Sequence, residues 1–431
     1  MPIKRTMASA LLLLLYFSLT PPAAPGQAAE DQSNPNIQAM LDQVDPGIIY
    51  NLSGNLSGEW PVSIDGETYT IPTRYALSGE PIQKTTQYLY QYYQDLGLDV
   101  SLHQFQYGGQ LLSNVLAEKT GTVFPERIFM ITSHFDAVYG TPGMDDNGSG
   151  TVAVMVAASI LNQYEFGCTL RFANFNAEEF GMVGSEHYAH QAYCAGEDLR
   201  GIINLDMIAW NSSGSPPEFD LHALPSVPGS MEIADVFQDI VHTYGLNLIP
   251  TMGNPFISAS DHASFLRFSF PAILVSEDGN DFNPYYHSSG DNLDSIPDFE
   301  YYTEAVKASL GTLAQMGCLV EDGWGIIEGV VTENNSMTPI PNASISLNYP
   351  DWDYTFGTYT DEEGYYQLSV LEGWHNLTAD GIGYAAANNA GLYIPKDQSV
   401  TFNIELEPTN EKTIFLPLSI SSPHDPLLDC P

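Results

Sequence analysis

Apolar and polar positions along the chain divide it into two regions with different periods. Between residues 36 and 318, short apolar, β-branched runs alternate with longer segments whose apolar residues recur at helical spacing. The runs Ile128–Thr132, Leu170–Phe175, Ile202–Leu205 and Ala272–Val275 predict strands. The segments Ile82–Leu96, Ser149–Tyr164, Ser185–Tyr193, Met231–Tyr244 and Glu300–Met316 predict helices, the second of them capped by Asn147. This alternation predicts an α/β domain with a mostly parallel central sheet covered by helices. Beyond Cys318 the period changes. Glu321–Gly325 reads as a linker, and residues 326–408 show short alternating strands separated by turn signals such as Asp361-Glu362-Glu363-Gly364. That pattern predicts a small all-β sandwich. Residues 409–431 form a Pro-rich tail.

The N-terminus has a separate origin. Lys4 and Arg5 precede an apolar run from Ala8 to Leu19, and small residues end the stretch at Gly26-Gln27-Ala28-Ala29. This is the pattern of a signal peptide over residues 1–28, with the mature chain beginning near residue 29. The run is too short to span a bilayer, and no later stretch is longer, so no transmembrane segment is expected. The chain is expected to be secreted and monomeric.

Composition narrows the partners. With 53 acidic and 12 basic residues, the formal net charge is −41. A surface of that sign repels nucleic acid and anionic lipid and attracts cations. Four cysteines in an exported chain allow two disulfides. Returning the helix after Leu170–Phe175 to the start of that strand would pair Cys168 with Cys194, and leave Cys318 for Cys430. No CxxC pair is present, which excludes a thiolate zinc finger. GxSxG and HExxH are absent too.

Residues able to carry chemistry sit just past the predicted strands. His134 and Asp136 come after the first strand, Glu178 and Glu179 after the second, and Asp206 after the third. A loop beyond the fourth leads to Tyr286 and His287. Open α/β sheets bind ligands beyond the carboxyl ends of their strands, so these groups converge on one edge. Each piece alone has an ordinary explanation: a surface pair, a solvated helix start, a cap, a turn at Asp145-Asp146-Asn147-Gly148-Ser149-Gly150. Together they would crowd carboxylates at a cost that divalent cations relieve, and nitrogen with carboxylate donors suits zinc.

The ordered set resembles the zinc exopeptidases of metallopeptidase family twenty-eight, which includes secreted bacterial leucine aminopeptidases. The matching segments are Ser133-His134-Phe135-Asp136, Gly143–Gly150, Asn176-Ala177-Glu178-Glu179-Phe180-Gly181, Gly184-Ser185, Asn204-Leu205-Asp206-Met207 and Tyr286-His287. Thr73-Arg74-Tyr75, Ser113-Asn114-Val115 and Ser260-Asp261-His262 match more weakly. The resemblance implies two Zn2+ ions per catalytic domain, one held by His134 and Asp206, the other by Glu179 and His287, with Asp146 bridging. It implies that Asp136 orients His134, that Glu178 is the general base, and that Tyr286 donates to the tetrahedral oxyanion. It also implies a cis peptide bond between Asp146 and Asn147, peptide substrates, and removal of N-terminal residues, large apolar ones such as leucine preferred. The second region, through Gly329-Val330-Val331, Pro341-Asn342-Ala343, Thr360-Asp361 and Gly364-Tyr365-Tyr366, resembles a carboxypeptidase regulatory-like domain of the transthyretin-like type. Two rival readings use the same scaffold. One is a glutaminyl cyclase, which typically holds one zinc and departs from the Asp-Asn-x-Ser-Gly segment. The other is a non-enzymatic binding protein, which would have lost ligands.

Overall fold

A computed structural model of the protein describes residues 33–320, 324–334, 336–349, 354–396, 398–409 and 430. The signal-peptide segment, most of the Pro-rich tail and residues 321–323 of the expected linker lie outside the described residues. The remainder of that linker is not a linker: Trp324 and Gly325 open the strand Trp324–Glu333.

The first region is a three-layer α/β unit. After two short helices, α1 (Pro35–Leu41) and α2 (Pro46–Leu56), comes a small hairpin of β1 (Val62–Ile64) and β2 (Glu67–Tyr69). The central sheet has eight strands in the order β3-β4-β6-β5-β7-β10-β8-β9. They are β3 (Asp99–Tyr107), β4 (Gln110–Lys119), β5 (Phe124–His134), β6 (Cys168–Phe175), β7 (Asp198–Leu205), β8 (Glu218–Ala223), β9 (Ile249–Met252) and β10 (Ala272–Glu277). The four predicted strands are the neighbours β6, β5, β7 and β10, and these run parallel. On one side the sheet continues through the antiparallel hairpin β3–β4, and on the other through β8, which runs antiparallel to β10. The sequence reading missed these flanking strands because β3 is half exposed and polar, without the continuous apolar run of a strand covered on both faces.

Helices α3 (Glu80–Asp95), α4 (Gly150–Leu161), α6 (Ser230–Thr243) and α8 (Phe299–Met316) pack with α1 and α2 in the core on one face. Helices α5 (Val183–Ala195) and α7 (His262–Arg267) cover the other, where Phe175, Tyr188, Phe265 and Met130 meet. Helix α4 starts at Gly150 with Ser149, not the expected Asn147, at its N-cap; Asn147 lies in the preceding turn, where its Oδ1 accepts from the Gly150 N–H at 2.9 Å. Among the described residues, no helix is long and apolar enough to cross a membrane.

The second region folds as two facing β-sheets. One contains Trp324–Glu333, Tyr365–Leu371, Tyr384–Ala385, Ser399–Thr401 and Ile404–Pro408. The other contains Ser344–Tyr349, Tyr354–Tyr359, Gly373–Asp380 and Ala387–Ile394. Its apolar core is continuous with Phe124, Cys168 and Cys318. Phe124 and Cys168 open β5 and β6, so the sandwich packs against the amino ends of the central strands, away from the edge where His134 and Glu178 lie.

The disulfides correct the expected pairing. Cys168 is bonded to Cys318, and Cys194 to Cys430. Main-chain pairing decides the first. The chain leaving α8 lies alongside the approach to β6, with a bridge between Phe166 and Leu319 and a Gly167 N–H donated to the Cys318 carbonyl at 2.7 Å. That places the Cα atoms of Cys168 and Cys318 5.4 Å apart. Cys194 does return on α5 to the same end, but in the layer on the opposite face.

Candidate metal centre

Imidazole and carboxylate groups meet at the carboxyl ends of β5, β6 and β7. His134 is the last residue of β5, Glu178 and Glu179 form a 3-10 turn just after β6, and Asp206 comes directly after β7. Asp146 lies in the turn before α4, and His287 in the loop after β10. Non-glycine residues with positive φ sit at three of these junctions: Ala177 (61°), Met207 (57°) and His287 itself (54°). Such backbone is uncommon and clusters where function over-determines the chain. The Asp146–Asn147 peptide bond is cis.

The distances sort the side chains around Asp146. Its Oδ1 lies 3.4 Å from His134 Nε2, and its Oδ2 lies 3.1 Å from His287 Nε2. Asp206 is 3.4 Å from the His134 nitrogen, and Glu179 is 3.1 Å from that of His287. Ligand atoms of His134, Asp146 and Glu179 all lie within 4.8 Å of one another. Glu178 Oε2 stands 3.8 Å from His134 Nε2. The opposite ring nitrogen, Nδ1 of His134, faces Asp136, at 3.2 Å from its carbonyl oxygen and 3.6 Å from its carboxylate. Asp136 also accepts the Glu178 N–H at 3.0 Å, so one carboxylate touches both neighbours. Tyr286 stacks on His287, ring centroids 3.7 Å apart.

The electrostatics are those of anions forced together. Burial, with Asp261, Asp206 and Asp136 nearby, pushes the Glu178 carboxyl up to about 10 against the pull of His134. Burial and Asp146 push Glu179 up to about 8. Burial would raise Asp146, but the imidazoles of His134 and His287 beside it outweigh that and hold it down at about 2. Burial alone would lower His134, yet Asp206 and Glu178 raise it well above its usual range. The buried atoms His134 Nε2 and Glu179 Oε1 have no hydrogen-bond partner. Unpartnered buried donor atoms aimed at one another are costly unless something takes their lone pairs. The residues present therefore fit one or two divalent cations, and imidazole with carboxylate is a donor set that zinc accepts.

A ring of polar groups that the sequence did not reveal clamps this edge. Asp291 accepts the N–H groups of Asp145 and Asp146, at 2.9 and 3.1 Å. Asp145 accepts from the Ala209 N–H and the Asn283 amide, and Glu277 accepts from the N–H groups of Trp210 and Asn283. These contacts tie the turn before α4 to the loop carrying His287. Nothing local in the sequence marks them, since the partners of that turn come from segments 64 to 146 residues away.

Arg74, whose segment matches the family only weakly, is wholly buried and is the brace of the turn. Its guanidinium donates to the carbonyls of Phe135, Leu56, Pro142 and Gly143. Gly143 has φ of 63°, and a Cβ there would press on the Arg74 side chain and the Asp146 carbonyl, which explains the glycine. Arg74→Met is expected to lower stability by about 3–5 kcal/mol, because several buried carbonyls lose their donor at about 1–3 kcal/mol each. Urea denaturation of the metal-free variant measures it, and a loss under about 1 kcal/mol would remove Arg74 from this role.

A mixed α/β sheet with an imidazole–carboxylate cluster at its parallel strand ends defines a class of divalent-metal centre, and the comparisons name its family. Residues 114–304 match the model of peptidase family M28, and residues 326–407 that of the carboxypeptidase regulatory-like domain. The chain carries an M28 peptidase domain followed by a carboxypeptidase regulatory-like domain. It is 29% identical over 211 residues to leucine aminopeptidase 2 of Arthroderma otae, a match covering 42% of this chain and 40% of that protein. The match thus spans well under half of that relative's length.

Among solved structures, the LapA aminopeptidase of Legionella pneumophila aligns with a TM-score of 0.57 at 20% identity, over 69% of this chain and 79% of that one. BSAP, a zinc aminopeptidase from Bacillus subtilis, aligns at 0.54 and 15% identity, over 63% and 95%. A Bacteroides thetaiotaomicron glutaminyl cyclase aligns at 0.51 and 18% identity, over 63% and 98%. At these identities the likeness is one of fold, and the fold accommodates both reactions.

Proposed function

We propose that this chain is an exported di-zinc aminopeptidase. The observation that carries the reading is the division of Asp146 between two imidazoles, one carboxylate oxygen facing each, with Asp206 beside the first and Glu179 beside the second. Two cations sharing one carboxylate would use His134 and Asp206 on one side and Glu179 and His287 on the other. The signal-peptide pattern and two disulfides support export to an oxidising compartment.

Bound zinc supplies Lewis acidity, polarising a scissile carbonyl and acidifying water. The chain's own groups do the rest. Glu178, whose ionised form cations held in the site would favour, takes the proton of the attacking water on its carboxylate and delivers it to the departing amine. Asp136 fixes the orientation of His134 and, through the Glu178 N–H, the position of the base. Tyr286 lines the same cavity and would donate its hydroxyl to the oxyanion. Met207, Ile257, Leu274 and Phe282 give that cavity apolar walls, which accept a large side chain such as leucine.

The deciding experiment compares leucyl p-nitroanilide with its N-acetylated form, with and without a chelator, beside an N-terminal glutaminyl peptide. Chelator-sensitive cleavage of the free substrate is expected, with the acetylated one at least a hundredfold slower. Equal rates on the two would sink the aminopeptidase reading, and release of pyroglutamyl peptide would replace it with the cyclase.

A further inference from the structure

The cavity beside the candidate metal centre has a polar end that an apolar specificity does not require. It measures about 230 Å3, with Asp146, Glu178, Glu179 and Asp206 at one end. That is below the roughly 300–1,000 Å3 of drug-sized sites, a volume suited to one side chain. At its other end are Asp220, His222 and Ser276.

The sheet register places these groups independently of the cavity. Phe219 on β8 stacks on Phe237 of α6, so its neighbours Asp220 and His222 occupy the opposite face of the strand. Asp220 pairs with Ser276 of β10 on one side and with Thr251 of β9 on the other. Val275 pairs with Leu205, so Ser276 lies beside Asp206. A polar row thus runs across the sheet from the metal edge to Asp220, two strands and ~10 Å away.

The Asp220 carboxylate accepts the Thr251 hydroxyl at 2.9 Å and the Gly279 N–H at 3.1 Å. Two neutral donors leave about half of a carboxylate's acceptor capacity open. The arginine and lysine ion pairs of the described residues go elsewhere, to Glu118, Glu197, Asp198, Glu186 and Glu304.

We propose that Asp220 makes this cavity a pocket for an N-terminal lysine or arginine. The aliphatic stem lies along Met207, Ile257 and Leu274, and the cationic tip meets Asp220. Leucine is accepted by the same walls, but lysine is favoured over norleucine, which has the same four-carbon stem without the ammonium. This rests on the aminopeptidase reading and adds its substrate class.

The test uses the full metal-loaded chain and three substrates, the lysyl, norleucyl and leucyl p-nitroanilides. The lysyl-to-norleucyl ratio of kcat/KM is expected to exceed about tenfold, and to fall at least tenfold in both Asp220→Asn and Asp220→Leu. A ratio taken on one preparation cancels any loss of folded protein. If a variant yields no active enzyme, competitive inhibition of the wild type by lysinamide against norleucinamide decides instead, with lysinamide expected to bind at least tenfold tighter. Norleucyl substrate cleaved as fast as lysyl, or a ratio unmoved by both variants, overturns the role of Asp220 while leaving the aminopeptidase standing. Failure on all three substrates overturns both.

Discussion

Glu178→Gln is expected to keep its metal content and lose about three orders of magnitude in kcat, while Glu179→Gln is expected to bind metal more weakly. The two glutamates are adjacent in sequence and both are half-buried in the same anionic cluster, yet their surroundings differ. Glu179 reaches His287 at 3.1 Å and belongs to the ligand atoms clustered around Asp146. Glu178 stands back at 3.8 Å from His134, and its own N–H is fixed by Asp136. A base one residue from a ligand is held within reach of the reacting water without spending its lone pairs on the cation. Removing a positioned acid–base group typically costs 10²–10⁴-fold. Metal content by atomic absorption, measured with kcat on the same sample, checks the division of labour. Near wild-type turnover in Glu178→Gln would take the base role from it, and loss of metal in that variant would make it a ligand.

Asp146→Ala is expected to empty both metal positions, where Glu179→Ala weakens only one. The reason is geometric: each oxygen of Asp146 faces a different imidazole, at 3.4 and 3.1 Å, so the two proposed metal positions would share this one anion. A ligand that binds only the folded state stabilises it by about 4 kcal/mol at a thousandfold excess over Kd. The wild-type chain should therefore melt at a higher temperature when zinc is added to metal-free protein. In Asp146→Ala that shift should vanish, along with all detectable activity. Titration calorimetry gives the stoichiometry, two for wild type and none at micromolar zinc for the variant. Retention of one tightly bound zinc would show that Asp146 serves a single position.

The parts of this protein that its sequence determined are those set by local period and by short segments. Four apolar runs predict the parallel strands β5, β6, β7 and β10, because strands covered on both faces must be apolar throughout. Five helical segments are legible from their 3.6-residue stripes. The residues just past those strands come together at one edge, since parallel strands in a sheet carry their carboxyl ends to the same side. The change of period after Cys318 likewise marks the sandwich.

Tertiary structure alone decided the features that involve partners distant in sequence or surfaces half open to solvent. Strand β3 has a mixed pattern because one of its faces is wet, so no apolar run announces it. The disulfides depend on which layer each helix occupies. Cys194 and Cys318 both lie at helix ends, but the main-chain bridge beside Phe166 brings only Cys318 against Cys168. Arg74, Asn283, Glu277 and Asp291 act through contacts that span up to about 150 positions, and no local spacing encodes them. Asp220 is a further case: in the chain it is an ordinary acidic residue on a short strand, and only its register against Ser276 and Thr251 turns it toward the cavity. Period and motif are properties of neighbours along the chain, whereas pairing, layer and the far wall of a pocket are fixed by packing.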